Sequence, residues 1–205
     1  FAFVRRYPVL RTSTPEEWRH HVARGQESNH HRRHARIGYA IACRFIEEGA
    51  TVTVFGSRQE TADAAVEKLQ RYPDAKVWGR SCDLTSLEAV TEAYPGCSDM
   101  GGLDTVVNNA GISQRSPLLD YTAEEFAKVM DLNVVAVFNG HQAAAKIMTE
   151  AGHGGTITTT SSMVAKYGQL CVGYPTSKFA VNGMVQSLSR ELAPMAFAST
   201  PLPQA

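Results

Sequence analysis

From residue 37 onward the apolar residues of this chain switch repeatedly between a strand period and a helix period, and that alternation is what most restricts the folds open to it. Residues 37–48 place Ile37, Ala40, Ile41, Cys43, Phe45 and Ile46 at helical spacing, and Gly49 follows as a C-terminal cap. Residues 51–55 (TVTVF) are β-branched and aromatic, end at Gly56, and lead into a helical pattern over 62–70. A strand from 76 runs towards Asp83, a helix over 86–94 opens at Thr85 or Ser86, and 103–107 (LDTVV) reads as a buried strand. A long helical pattern over 123–148, a Thr-rich strand over 155–160 and a helix over 177–191 complete the series. Strand and helix in alternation predict an α/β fold, a parallel sheet wound by right-handed crossovers, with ligands beyond the carboxyl ends of the strands.

Residues 1–36 stand outside this pattern. They hold eight Arg, no Lys, three acids and five of the seven His, so a formal charge of zero over the whole chain divides into +5 here and −5 in the remainder. The stretch 19–36 has almost no apolar residue and is not expected to fill a core position. A basic arm for nucleic acid and a His-rich metal tract are both available readings. Neither is favoured, because adjacent His residues point to different sides of an element and no carboxylate or Cys completes a ligand set. The chain divides into an aberrant segment 1–36, expected to be disordered or misread, a domain 37–193, and an aberrant tail 194–205. No apolar run reaches the ~20 residues of a membrane span, and the opening FAFVRR reverses the order of a signal peptide. A cytoplasmic location follows, with Cys43, Cys82, Cys97 and Cys171 as reduced thiols and no metal site.

The chemistry concentrates in Tyr174-Pro-Thr-Ser-Lys178. Residues four apart share a helix face, so the Lys178 ammonium can lie beside the Tyr174 phenol, favour its phenolate and make it a better proton donor at neutral pH. Pro175 suits a first helical turn. Upstream lie Ser161 and Ser162 at a strand end, Asn108-Asn-Ala-Gly111 after another strand, and Asp131-Leu-Asn133.

In these motifs, and in Asp83-Leu84 after the third strand, residues 37–193 resemble the short-chain dehydrogenase/reductase family. The resemblance implies a Rossmann-like doubly wound sheet, a nicotinamide cofactor, a small carbonyl or alcohol substrate, and assembly with further copies of the chain; the zero net charge and the lack of a long apolar run argue against nucleic acid and membrane as partners. It implies Tyr174 as proton donor, Lys178 as the residue that holds the ribose and lowers the Tyr174 pKa, a serine on the carbonyl oxygen, and Asn133 holding a relay water. Asp83 and Leu84 would border the adenine, and Asn109, Ala110 and Gly111 would back the cofactor. Strand register selects Ser162 as the serine, whereas the family's usual spacing to the tyrosine selects Ser161. At the end of the second strand, Gly56, Ser57 and Arg58 stand where an acid would favour NAD. Arg58 could hold a 2′-phosphate, so NADP is favoured over NAD. Val164, Tyr167, Leu170 and Val172 suit an apolar pocket or plain packing, and the substrate stays open among sugar, keto acid derivative, steroid and acyl thioester.

One part is missing. A glycine-rich turn should precede the first helix so that backbone amides can approach a diphosphate, but only Ile37-Gly38 remains of it, after HHRRHAR. Shifted by one base, codons for residues 29–36 permit Ile/Thr three times, then Gly, Gly, Thr, Arg and Gly. The tail 195–205, read from each third base, permits Gly-Ile-Arg-Val-Asn-Ala-Val-Ala-Pro-Gly. Both ends therefore read as frame-shifted, and the sheet is expected to be incomplete, with its first strand and C-terminal strands aberrant or missing. Weak or absent NADP(H) binding follows, and the alternative function is a catalytically inactive domain serving only in assembly.

Overall fold

The computed structural model describes residues 2–5, 32–94, 102–114, 116–168, 171–195 and 197–202, with 2–5, 32–36 and 197–202 described by backbone alone. The Arg/His stretch up to residue 31, Cys97 and Leu170 lie outside the described residues.

The alternation read from the sequence is the alternation observed. In chain order the elements are β1 (Ala2–Arg5), α1 (Arg32–Glu47), β2 (Thr51–Gly56), α2 (Gln59–Leu69), β3 (Lys76–Ser81), α3 (Leu87–Ala93), β4 (Thr105–Asn108), α4 (Ala123–Met130), α5 (Ala136–Glu150), β5 (Gly155–Thr160), α6 (Gly173–Leu192) and β6 (Phe197–Leu202). One six-stranded sheet runs β3-β2-β1-β4-β5-β6. The pairs β2/β3, β4/β5 and β5/β6 are parallel.

Helices cover both faces. On one, Ala42, Cys43 and Ile46 of α1 and Leu69 of α2 pack on Val52, Val54 and Val77. On the other, Val90, Tyr94, Ala143, Ala144 and Met148 pack on Val106 and Ile157. Val and Ile at these strand positions bury both sides of the central strands, as a sheet sandwiched between helix layers requires. At the open side of β3, the Gln59 side chain acts as a substitute strand: its Nε2 donates to the Gly79 carbonyl (3.2 Å) and its Oε1 accepts from the Ser81 N–H (2.9 Å). An edge with its amides occupied is a poor template for a further strand.

Three features depart from the expectation of an incomplete sheet. The central slot is filled, because β1 pairs with both β2 and β4, but it runs antiparallel to both. The tail is not lost to the fold, since β6 adds in parallel to β5, with Pro201 tolerated because β6 is the outermost strand. And α1 starts at Arg32, ahead of the apolar pattern that begins at residue 37. Hydrophobic period could not reveal these, because main-chain pairing and helix extension by Arg and His leave no apolar signature.

Candidate active site

The strand ends and the start of α6 bring Tyr174, Lys178, Ser162 and Asn133 together. Tyr174 and Lys178 sit one turn apart at the N-terminal end of α6 and are both buried, Lys178 to 2% exposure. Lys178 Nζ stands 5.6 Å from the Tyr174 ring centroid and donates to the Thr160 carbonyl oxygen (2.8 Å) at the end of β5. Desolvation pushes its pKa down to about 8.

Tyr174 differs from the expectation. Burial raises its phenol above the ordinary value, and Cys171 adds to the rise; the hydrogen bond from Ser162 opposes it without cancelling it. The lowering expected from Lys178 is not found.

Between the two serines the geometry discriminates. Ser162 is hydrogen-bonded to Tyr174. The Ser161 hydroxyl points elsewhere and donates to Asn182 Oδ1 on α6 (2.6 Å). Successive residues of an extended segment face opposite ways, which is the register argument made from the sequence.

Asn133 is fully buried in a π-turn, Asp131–Val135, that joins α4 to α5 and is closed by the Ala136 N–H on the Asp131 carbonyl. Its Oδ1 accepts from the Ile112 N–H (2.8 Å), and its Nδ2 donates to the Ile112 carbonyl (2.9 Å) and to Ser177 Oγ (2.9 Å). Both amide protons are thereby engaged with protein atoms, so the side chain has none left for the relay water expected of it. What Asn133 does instead is tie the loop after β4 to α6. Ser177 completes the tie by donating to the Tyr174 carbonyl (2.7 Å).

Gly111 lies in the same place. A Cβ there would stand 3.1 Å from Asn133 Oδ1 and 3.9 Å from Lys178 Nζ. Asn109 accepts from the Thr160 hydroxyl (2.9 Å), and Ala110 packs partly against the core.

Ser177, Thr160 and Tyr121 were missed from the sequence. Ser177 is three residues from Tyr174 on the same helix face, a spacing that could have flagged it. Thr160 contributes a backbone carbonyl, which no side-chain pattern marks. Tyr121 packs on the backbone of Gly173, where a Cβ would strike its hydroxyl, and it shares Cys171 as a neighbour with Tyr174. Val164 is buried, whereas Tyr167 and Val172 are about half exposed.

A second locus lies at the carboxyl ends of β2 and β3, where a polar cleft of ≈ 510 Å³ is lined by Ser57, Gln59, Arg80, Ser81, Cys82, Asp83, Ala89, Glu92 and Ala93. Asp83 Oδ1 accepts from the Thr85 N–H (2.9 Å) and hydroxyl (2.7 Å), which holds its carboxyl below the usual range. Leu84 is 9% exposed and packs in the core rather than lining the cleft. Arg58 is exposed and not part of the lining; Arg80, two residues before Cys82, supplies the cleft's guanidinium.

Polar side chains of the kind a nicotinamide dinucleotide needs stand at these two loci. Ile37 and Gly38 lie inside α1, and a Cβ at Gly38 would stand 2.8 Å from Asn109 Nδ2, so this glycine serves close helix packing. Among the described residues no glycine turn joins a strand to α1. Described residues include no group of three metal-ligating side chains and no helix long and apolar enough to cross a membrane.

The short chain dehydrogenase family profile matches residues 34–198. The chain belongs to the short-chain dehydrogenase family. It is 54% identical over 159 residues to a 3alpha-hydroxysteroid dehydrogenase of Mediterraneibacter gnavus, covering 76% of this chain and 63% of that enzyme. It is 35% identical over 161 residues to an L-2,3-butanediol dehydrogenase of Corynebacterium glutamicum, covering 77% and 62%. The chain thus spans less than two thirds of the length of these relatives. Among solved structures, a short-chain type dehydrogenase/reductase from Mycobacterium marinum superposes with a TM-score of 0.77 at 32% identity, over 80% of this chain and 68% of that one. An NAD+-bound xylitol dehydrogenase matches with a TM-score of 0.77 at 29% identity, over 82% and 65%. As a short-chain dehydrogenase the chain is kin to oxidoreductases that act on small carbonyl or alcohol substrates, and the family implies NAD(P) use.

Proposed function

We propose that the chain interconverts a ketone and a secondary alcohol, with Tyr174 giving its phenolic proton to the carbonyl oxygen and Ser162 hydrogen-bonding the same oxygen. The observation that carries this reading is the hydrogen bond between Ser162 and Tyr174 beside the buried Lys178. Two adjacent hydroxyls can meet a single carbonyl oxygen, and a phenol that stays protonated at neutral pH has a proton to give. Lys178 and the ties through Asn133 and Ser177 hold Tyr174 in place. In this family the hydride comes from NAD(P)H, and the lack of an acid at Gly56-Ser57-Arg58 supports NADP over NAD. The identity to a 3alpha-hydroxysteroid dehydrogenase makes a hydroxysteroid the first substrate to try. Half-exposed Val135, Phe138 and Phe179, on the π-turn, α5 and α6, support assembly with further copies of the chain. Free thiols at Cys43, Cys82 and Cys171 among the described residues support a cytoplasmic location.

One observation favours a second reading, a catalytically inactive assembly domain: α1 runs as helix through the positions where the phosphate turn should be. The discriminating experiment offers NADPH or NADH at millimolar concentration with a panel of ketosteroids and small ketones. Cofactor oxidation that Tyr174→Phe abolishes, without a change in melting temperature, supports the oxidoreductase. A folded oligomer without turnover on any member of the panel supports the inactive domain.

A further inference from the structure

Tyr174 stands in the first turn of α6, and that turn is weakly held by its own residues. Val172, at the cap position, has an alkyl side chain and makes no cap hydrogen bond, and Pro175 brings no amide of its own. The first helical residue, Gly173, has no side chain to fix its backbone. The hydroxyl and the N–H of Thr176 both donate to the Val172 carbonyl (2.7 and 3.2 Å), which closes the turn but supplies no acceptor to its start. Helix ends of this kind fray unless neighbours hold them.

Two neighbours do. One is Ser177, which donates to the Tyr174 carbonyl and is tied to Asn133. The other is Tyr121. A Cβ on Gly173 would fall on the Tyr121 hydroxyl, 2.9 Å from its Cζ and 3.1 Å from its Cε1, so the edge of the phenol rests on the bare backbone of Gly173. Tyr121 is itself braced. Its ring meets Phe126 edge-on with centroids 6.2 Å apart, and its hydroxyl donates to the Glu125 carbonyl (3.5 Å). Thr122 and Glu125 close a capping box at the start of α4, and Glu125 Oε1 accepts from Gln114 Nε2 (2.8 Å) in the loop after β4. The braced ring thus presses a fixed part of the fold against the residue that precedes Tyr174.

We propose that Tyr121 is a positioning residue: by seating its ring on Gly173 it fixes the first turn of α6 and so the place of the Tyr174 hydroxyl beside Ser162. Its effect on turnover rests on the oxidoreductase reading, whereas the order of that turn can be read without turnover.

The test compares the full chain with Tyr121→Phe, Tyr121→Ala, Gly173→Ala and the double variant Gly173→Ala/Tyr121→Phe, each shown to melt cooperatively. Steady-state rates with NADPH and the ketone panel give kcat and KM, and hydrogen exchange follows the amides of Thr176, Ser177 and Lys178 against that of Val185 in the middle of the same helix. Phe keeps the ring on Gly173, so all readings should match the parent. Ala removes the ring, and kcat should fall ~10-fold or more with KM within about threefold, since a displaced proton donor slows the chemical step without loosening the substrate. Exchange at 176–178 should rise ~10-fold or more in the same variant while Val185 is unchanged, the mark of local opening. Gly173→Ala should show the same losses, and adding Tyr121→Phe should restore about threefold or more of the rate, because it removes the hydroxyl that the new methyl strikes.

Parent-like kcat and exchange in Tyr121→Ala overturn the proposal, and so does a Phe variant that loses as much rate as the Ala variant. If Tyr121→Ala does not fold, the glycine pair decides, and a double variant no better than Gly173→Ala overturns it. If the parent itself turns over no ketone, the oxidoreductase reading fails and hydrogen exchange alone decides this one.

Discussion

Replacing Lys178 with Met should stabilise the fold near neutral pH, and the gain should vanish in alkali. Lys178 is 2% exposed, and burial brings its pKa from 10.5 to about 8. A base whose folded pKa lies below its unfolded value costs stability wherever the unfolded chain holds a proton more firmly than the folded one. Below pH 8 both states are protonated and the cost is complete, about 3 kcal/mol at ~1.4 kcal/mol per unit. Between pH 8 and 10.5 the folded lysine is neutral while the unfolded one is still charged, so the cost shrinks, and above 10.5 it is gone. Met keeps the length and apolar stem without the charge, at the loss of one hydrogen bond to the Thr160 carbonyl, worth about 1 kcal/mol. The variant should therefore be more stable by about 2 kcal/mol at pH 7 and less stable than the parent by about 1 kcal/mol at pH 10.5. Urea titrations of both proteins at matched pH give the difference directly, and the ionisation of Tyr39, Tyr72 and Tyr121 cancels in the subtraction. A difference that stays flat from pH 7 to 10.5 would refute the reasoning, since it would mean that Lys178 is not desolvated. If the trend holds, this chain keeps a lysine that weakens it, which is what a site retained for chemistry looks like.

Asn133→Ala should cost about 3 kcal/mol in denaturant unfolding, because it leaves the Ile112 amide, the Ile112 carbonyl and Ser177 Oγ without their partner in a buried site; a loss under 1 kcal/mol would mean that water replaces the amide. His141, buried with Nδ1 2.9 Å from the Val137 carbonyl, has a pKa lowered by desolvation, so the unfolded chain takes up a proton that the folded one refuses, and stability should fall as pH drops through 6.5. Comparison of melting temperatures with His141→Phe at pH 7.5 and 5.5 isolates that share, and equal slopes in the two proteins would exclude it. Sequencing the coding DNA across residues 25–37 and 193–205, with mass spectrometry of the matching peptides, should reveal a shifted frame; an unbroken frame in the printed phase would remove that account of both ends.

What the sequence made legible was whatever side chains encode. Apolar period located the helices and strands of residues 37–192, because each must bury a stripe or a face on its neighbours, and the tyrosine–lysine spacing located the site, because a helix brings such residues onto one side. What stayed hidden was encoded in the main chain. The π-turn at Asp131–Val135 shifts hydrogen bonds without changing composition, and the carbonyl of Thr160 that receives Lys178 belongs to no motif. The direction of β1 could not be read either, since no side chain of its four residues marks a parallel or an antiparallel pairing. That last ambiguity has the largest chemical consequence. A parallel central strand delivers the chain to the edge where the site lies, whereas the antiparallel β1 delivers it to the far edge. Burial selects the fold here, but the direction of one short strand decides at which edge of the sheet the chain leaves the central slot.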